Sequence, residues 1–240
     1  MRIWITRAEP EARRTAEAVS AAGHRPVVSP LLQVSILTSA DGPLAKALTG
    51  VGALAFTSAN GVRAFAALRP ISDRHLPVFA VGASTARAAR EAGFASVVSG
   101  EGDVAALAKR IAMKDQRPSG VVLHPGALEP AGDLVDDLRR RGLSARHIAV
   151  YETLPQEPSR DLLAALNQDP PAVSGVLIHS PKAAQELAKL LCDRPDLAAA
   201  LTVICISKAA AEPLKSFKFA RSAAAAKPTE AAMLARLASS

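Results

Sequence analysis

Two spacings alternate along the chain. Short runs rich in apolar and β-branched residues fall at 2–5, 25–28, 53–57, 78–81, 96–99, 121–124, 145–150, 175–179, 202–206 and 217–221, and predict strands. Between them apolar positions recur every three to four residues, over 11–22, 44–48, 60–68, 84–92, 104–113, 132–141, 160–166, 181–191, 208–214 and 229–238, and predict helices. Regular alternation of strand and helix is the pattern of βα units built on parallel sheets, so the fold class is α/β. At 240 residues the chain is long for one such domain and short for two independent enzymes. Two lobes of about 100 to 120 residues are the natural division.

The two halves echo each other. Ile3-Trp4-Ile5-Thr6-Arg7, a helix and Ala22-Gly23-His24-Arg25-Pro26 answer to Val121-Val122-Leu123-His124-Pro125, a helix and Arg141-Gly142-Leu143-Ser144-Ala145. Ala55-Phe56-Thr57-Ser58-Ala59-Asn60-Gly61 answers to Leu177-Ile178-His179-Ser180-Pro181-Lys182-Ala183, and Ala80-Val81-Gly82-Ala83-Ser84-Thr85 to Cys205-Ile206-Ser207-Lys208-Ala209-Ala210. A duplicated ancestral unit accounts for this self-similarity. Two extended stretches break the rhythm, and within them residues 31–36 and 149–154 are expected to pair as a two-stranded β connector. The expected layout is two similar parallel-sheet α/β lobes joined by that connector. One lobe is 37–148 and the other joins 1–30 to 155–240.

Composition sharpens this picture. Apolar residues make up 49% of the chain but aromatics only 3%, so the cores should be aliphatic. No stretch reaches the roughly 18 consecutive apolar residues of a membrane span, and the first residues pass into an amphipathic segment without a signal-peptide core. A cytoplasmic protein that does not enter the membrane is expected. Cys192 and Cys205 are the only thiols; Cys205 lies in an apolar run, reads as a small buried hydrophobe, and no disulfide is expected. The net charge of +7 is spread over scattered Lys and Arg, with one dense stripe at Arg139-Arg140-Arg141 and no interleaved aromatics. That argues against nucleic acid and leaves solvated helix faces or an acidic small molecule.

Ligands of open α/β sheets bind outside the carboxyl ends of the strands, so the chemistry is expected at the strand-to-helix turns, in a cleft between the lobes. Thr57-Ser58-Ala59-Asn60-Gly61, Gly82-Ala83-Ser84-Thr85 and His179-Ser180-Pro181-Lys182 are such turns. Each can serve simply as a helix cap; several together suit a ligand with several acidic groups. A literal G-x-G-x-x-A stands at Gly100-Glu101-Gly102-Asp103-Val104-Ala105, but Glu101 and Asp103 would repel a pyrophosphate and Asp103 reads as a cap. There is no P-loop, no metal-like spacing among the five histidines and two cysteines, and no nucleophile elbow. No metal and no nucleotide or redox cofactor is expected. Tyr151, the single tyrosine, falls in the connector. It either packs as a half-buried aromatic or lends a proton, since a phenol stays protonated at neutral pH.

Taken in order, Ile5-Thr6-Arg7, Phe56-Thr57-Ser58 with the following Gly61-Val62, Val81-Gly82-Ala83-Ser84-Thr85-Ala86, Val150-Tyr151-Glu152-Thr153, His179-Ser180-Pro181 and Pro228-Thr229-Glu230 resemble the uroporphyrinogen-III synthases along the whole chain. The resemblance implies two α/β lobes joined by a β-ladder, with the N- and C-terminal portions sharing one lobe. It implies an enzyme, a carbon–oxygen lyase. Hydroxymethylbilane loses water, ring D is inverted through a spiro intermediate, and the macrocycle closes as uroporphyrinogen III without metal or cofactor. The substrate carries four acetates and four propionates, which suits a basic chain.

In that family the tyrosine of the Val-Tyr-x-Thr segment donates a proton to the leaving hydroxyl, which here makes Tyr151 the catalytic residue. Arg7, Thr57, Ser58, Thr85 and Ser180 match positions lining the cleft and are assigned to substrate binding. Two segments depart from the family pattern. Ile206-Ser207-Lys208-Ala209-Ala210-Ala211 stands where a second Gly-x-Thr-Thr-Ala-like turn is expected, so Ser207 and Lys208 are assigned as substitute donors. His124-Pro125-Gly126 replaces an Arg-Gly loop, and His124 joins the binding residues. The resemblance further implies a monomer, hydroxymethylbilane as small-molecule partner, and a transient contact with hydroxymethylbilane synthase. A noncatalytic bilobal binding protein for a small polycarboxylate would share the turns but not need Tyr151. A nucleotide-using transferase with a degenerate glycine loop would bind its nucleotide saturably.

Overall fold

Parallel strands covered by helices on both faces must be apolar on both faces, and the runs that best meet this condition form the sheet centres. The computed structural model describes residues 1–69, 73–100, 102–130 and 132–238. From the N-terminus come β1 (Arg2–Ile5), α1 (Glu11–Ala21), β2 (Arg25–Val28), β3 (Leu32–Ile36), α2 (Asp41–Ala47), β4 (Val51–Phe56), α3 (Ala59–Leu68) and β5 (Val78–Ala80). Next are α4 (Ala83–Glu91), β6 (Val97–Ser99), α5 (Val104–Ala112), β7 (Val121–Ala127), α6 (Leu134–Arg140) and β8 (Ala145–Pro155). Then follow α7 (Arg160–Leu166), β9 (Gly175–Ile178), α8 (Pro181–Leu191), α9 (Pro195–Ala200), β10 (Thr202–Cys205), α10 (Lys208–Ala211), β11 (Arg221–Ala224) and α11 (Glu230–Ala238).

The chain divides into two compact units, Met1–Gln33 with Leu154–Ser240, and Val34–Thr153. The first unit holds a five-stranded sheet ordered β11-β10-β9-β1-β2, paired in parallel throughout. The second holds a six-stranded sheet ordered β3-β8-β7-β4-β5-β6, parallel from β8 to β6. With β3 set aside, the orders coincide: β2-β1-β9-β10-β11 against β8-β7-β4-β5-β6. The internal repeat is therefore spatial as well as sequential. Its members are exchanged, because each unit combines the first two strands of one repeat with the last three of the other, and this makes the first unit discontinuous.

Both unit boundaries fall inside β3 and β8. The two strands run in opposite directions: Leu37 N donates to Val150 O at 3.0 Å, and Gln156 N donates to Leu31 O at 2.9 Å. β8 is one uninterrupted strand of 11 residues, where the sequence pattern suggested a strand and then a separate connector segment.

Each unit has its own core. In the first, Trp4 is fully buried and donates from Nε1 to Ser29 O at 2.7 Å, among Leu162, Val176, Ile178, Leu187 and Val203. In the second, Phe56, Phe65 and Phe94 meet with ring centroids 5.9 to 6.3 Å apart, so the few aromatics are concentrated there. Each large side chain fully buried in this way contributes roughly 1.5–3 kcal/mol. Cys205 is buried in the first core, where burial pushes its thiol up to about 11, and both cysteines are free. Among the described residues no helix is long and apolar enough to cross a membrane.

Three further elements differ from the sequence pattern. α9 was not anticipated, although Pro195 at its start and Asp196 in its first turn are helix-start signals. The strand expected at 217–221 forms instead at Arg221–Ala224, in register with β10, while Phe217 and Phe219 stack at 6.0 Å against the core of the first unit. β7 runs three residues beyond the expected 121–124. Pairing of β7 with β4 ends at Leu123, so Pro125, which lacks an N–H, follows where no bond to β4 is needed. In the glycine-rich stretch at 100–105, Asp103 caps α5 by accepting from Ala106 N at 2.9 Å, and Glu101 lies outside the described residues.

Candidate functional site

The turn after β4 gathers the chemistry of the second unit. Ser58 has extended backbone angles and its Oγ accepts from Asn60 N at 3.1 Å, the N-cap of α3 that the hydroxyl-Asn-Gly pattern suggested. The Tyr151 phenol, on β8, lies beside this turn, and the Ser58 hydroxyl eases its ionisation. Tyr151 is only 6% exposed and belongs to the aromatic core. Burial raises its pKa, and the opposing effect of Ser58 is smaller, so the phenol keeps its proton at neutral pH. Gly61 explains how the helix sits so close: a Cβ there would fall 2.8 Å from Pro125 O and 3.7 Å from Tyr151 Cε1. Thr57 is half-buried at the same turn, and Thr85 is buried in the first turn of α4, which Gly82 opens without a side-chain cap.

His124 ends the strand expected at 121–124, and β7 continues past it. It lies inside β7, is 3% exposed, and its Nδ1 donates to Ala55 O at 2.8 Å. Burial, and to a lesser degree the neighbouring His147, lower its pKa to about 4 against that bond, so the ring is neutral at pH 7. The His124 and His147 ring centroids are 5.2 Å apart. Gly126 makes room for them, since a Cβ there would come within 2.8 Å of His124 Nε2 and 3.0 Å of His147 Nε2. His124 thus donates a hydrogen bond within the sheet. Burial lowers His147 as well, and this face of the unit carries neutral polar groups.

The first unit places charge at its equivalent turns. Ser180 caps α8 by accepting from Ala183 N at 3.1 Å, and Ser207 caps α10 by accepting from Ala210 N at 3.2 Å. Lys208 is exposed beside it. Arg7, just past β1, is engaged by several partners: its NH1 donates to Glu230 Oε2 at 3.3 Å and to Thr15 Oγ1 at 3.5 Å, and its NH2 stands 3.9 Å from Glu11 Oε2. His179 Nε2 lies 3.5 Å from the same Glu230 oxygen. Burial lowers His179, so its ring is neutral at pH 7. Burial by itself would raise the Glu230 carboxyl, but His179, Thr15 and Arg7 together hold it below the ordinary range.

The structure therefore brings Ser58 and Tyr151 together, with Thr57 at the same turn, and sets Thr85 at the next turn of that unit. Arg7, Ser180, Ser207 and Lys208 belong to the other unit. Sequence reasoning missed Glu11, Thr15 and Glu230 as partners of Arg7. A readable signal existed: Glu11, Ala12, Thr15 and Val19 are the buried face of α1, and a carboxylate at a core-facing helical position requires a cation nearby.

A family model described as uroporphyrinogen-III synthase HemD matches residues 13–235. No curated protein sequence matches the chain. Among solved structures, the chain is similar to uroporphyrinogen-III synthetase from Helicobacter pylori, at 19% identity and a TM-score of 0.60, over 99% of this chain and 98% of that one. It is also similar to a mutant uroporphyrinogen III synthase from the extremely thermophilic bacterium Thermus thermophilus, at 17% identity and a TM-score of 0.56, over 99% and 97%. At such identities the likeness carries the two-domain fold.

Proposed function

Because the chain belongs to the uroporphyrinogen-III synthase family, we propose that it converts hydroxymethylbilane to uroporphyrinogen III with loss of water, acting as a hydro-lyase, and that Tyr151 is its general acid. The bond that breaks is the carbon–oxygen bond of the hydroxymethyl group. The phenol proton leaves with that hydroxyl as water. Ring D then attacks the electron-poor methylene, forms the spiro intermediate and is inverted as the ring closes. The proton shed when the last pyrrole regains aromaticity balances the one donated and leaves the phenol protonated again.

The observation behind this role is the Tyr151 phenol, 6% exposed and kept protonated by burial, set against the Ser58-capped start of α3. A positioned acid contributes on the order of a hundred- to ten-thousand-fold. Thr57, Thr85 and backbone donors of the second unit, with Arg7, Ser180, Ser207 and Lys208 of the first, are proposed to share the substrate's carboxylates. β3 and β8 are proposed as the connector between the units, and the protein as a cytoplasmic monomer that takes its unstable substrate by transient contact with hydroxymethylbilane synthase. The test is to supply freshly generated hydroxymethylbilane and resolve the uroporphyrin isomers after oxidation. Type III product in excess over the unaided reaction is expected; type I alone, formed at the rate seen in buffer, rejects the function and leaves a binding protein.

A further inference from the structure

One partly buried ionic group in the first unit has no part in the proton transfer above. Glu230 opens α11, 223 residues beyond Arg7, yet its Oε2 accepts from Arg7 NH1 at 3.3 Å. Glu11 closes the group from α1, 6% exposed, with Arg14 NH1 donating to its Oε1 at 3.0 Å and Arg7 NH2 at 3.9 Å from its Oε2. Thr15 and the neutral His179 complete it. The two arginines and two carboxylates balance, so the group is not a bare anion receptor. An anchor for the C-terminal helix would need no more than this.

Its position says more. Ile5 of β1 pairs with Leu177 of β9, so Arg7 and His179 leave the sheet side by side at its carboxyl edge, next to the Ser180 turn. There the Arg7 side chain remains 25% exposed. Arginine has many rotamers, and a guanidinium already aimed loses less freedom when a carboxylate binds.

We propose that Glu230 is a positioning residue for Arg7: its carboxylate fixes the guanidinium at the carboxyl edge of β1, so that a substrate carboxylate meets a cation whose direction is already set. The inference rests on the reading of Arg7 as a substrate-binding residue. Two effects of Glu230 oppose each other. As a positioner it strengthens binding, and as a rival carboxylate it weakens it, so the sign of a charge-removing substitution decides between them.

The experiment is steady-state kinetics of the full chain on freshly generated hydroxymethylbilane, with thermal midpoints recorded in parallel. Glu230→Gln is expected to raise KM about three- to tenfold, the net worth of one ordinary hydrogen bond, since Arg7 itself is kept, with kcat within about twofold. Glu230→Asp should recover part of the loss. In an Arg7→Ala background the same Glu230→Gln change should add nothing, because Glu230 acts through Arg7. A fall in KM, or an equal rise with and without Arg7, overturns the inference while leaving Arg7 as a binding residue. An unchanged KM in Arg7→Ala overturns the substrate-binding reading and the inference with it. Should Glu230→Gln fail to fold, Glu230→Asp with and without Arg7 carries the same test.

Discussion

The turns that follow β4 and β9 are equivalent in the internal repeat, and each opens with a serine that caps the next helix, Ser58 before α3 and Ser180 before α8. Around this shared frame the units have taken different chemistry. Beside Ser58 stand a protonated phenol and, in the same unit, two neutral histidines. Beside Ser180 stand His179, Glu230 and Arg7, a neutral ring within a compensated charge group. One strand–turn–helix frame supplies backbone donors in both places, and the side chains arriving from other elements decide whether the turn handles a proton or a charge. We propose a division of labour on this basis: proton transfer falls to the second unit and the cationic part of carboxylate recognition to the first, while Thr57, Thr85 and backbone donors of the second unit supply neutral contacts.

The largest expected effect breaks the second unit's side of that comparison. Tyr151→Phe removes the proposed acid and keeps the ring that fills the core, so kcat should fall by about a hundredfold or more while circular dichroism stays unchanged. Because the bilane cyclises unaided to the type I isomer, the slowed variant should also let product drift from type III toward type I, more so at low enzyme concentration.

Neutrality of the second unit can be tested through stability. His124 titrates at about 4 in the folded chain and near 6.5 when unfolded, so between those values the unfolded chain binds more protons. The stability is complete above about pH 6.5 and is lost as pH falls toward 4, by up to about 3 kcal/mol from this group. His147 and His179, also lowered by burial, add to the same slope. Urea unfolding of wild type and His124→Asn at pH 7 and pH 5 isolates the His124 share, and the variant should show the shallower dependence.

A smaller effect is expected at Gly61. Ala there drives a methyl to 2.8 Å from Pro125 O, must shift α3 off β7, and crowds Tyr151. Overpacking of this kind costs about 1–3 kcal/mol, and a lowered thermal midpoint with reduced kcat should accompany it. The finest comparison pairs the equivalent serines. Each substitution by Ala removes a cap, worth about 1 kcal/mol of stability. Ser58→Ala also removes the hydroxyl beside the Tyr151 phenol and should lower kcat, whereas Ser180→Ala should raise KM only about two- to fivefold, as a helix N-terminus worth a few tenths to 1 kcal/mol toward a carboxylate implies. Equal effects of both on kcat would erase the distinction.

Much of this architecture was legible because it is written in local pattern. The apolar runs that became β1, β9 and β10, and the Ser58 and Ser180 caps, need only alternation, spacing and capping chemistry to be seen. The matching strand order of the units was foreshadowed by the sequence repeat. What stayed hidden depends on long-range arrangement. Arg7 could be read as a cation, but its partner Glu230 lies 223 residues away and meets it only when α11 returns to β1. His124 could be read as the last residue of a strand, but β7 continues past it, and the ring is buried against Ala55 O. Phe217 and Phe219 alternate like a strand, yet they pack as a stacked pair and leave pairing to Arg221–Ala224.

The division of labour is tested most directly by kcat and KM for Tyr151→Phe, Arg7→Ala and the double variant, measured on one preparation of freshly generated hydroxymethylbilane. The expected result is a loss of kcat from Tyr151→Phe alone, a rise in KM from Arg7→Ala alone, and a double variant that carries both losses additively, as independent sites should. A Tyr151→Phe variant with wild-type kcat and matched circular dichroism, or an Arg7→Ala variant that loses kcat with KM unchanged, would contradict it.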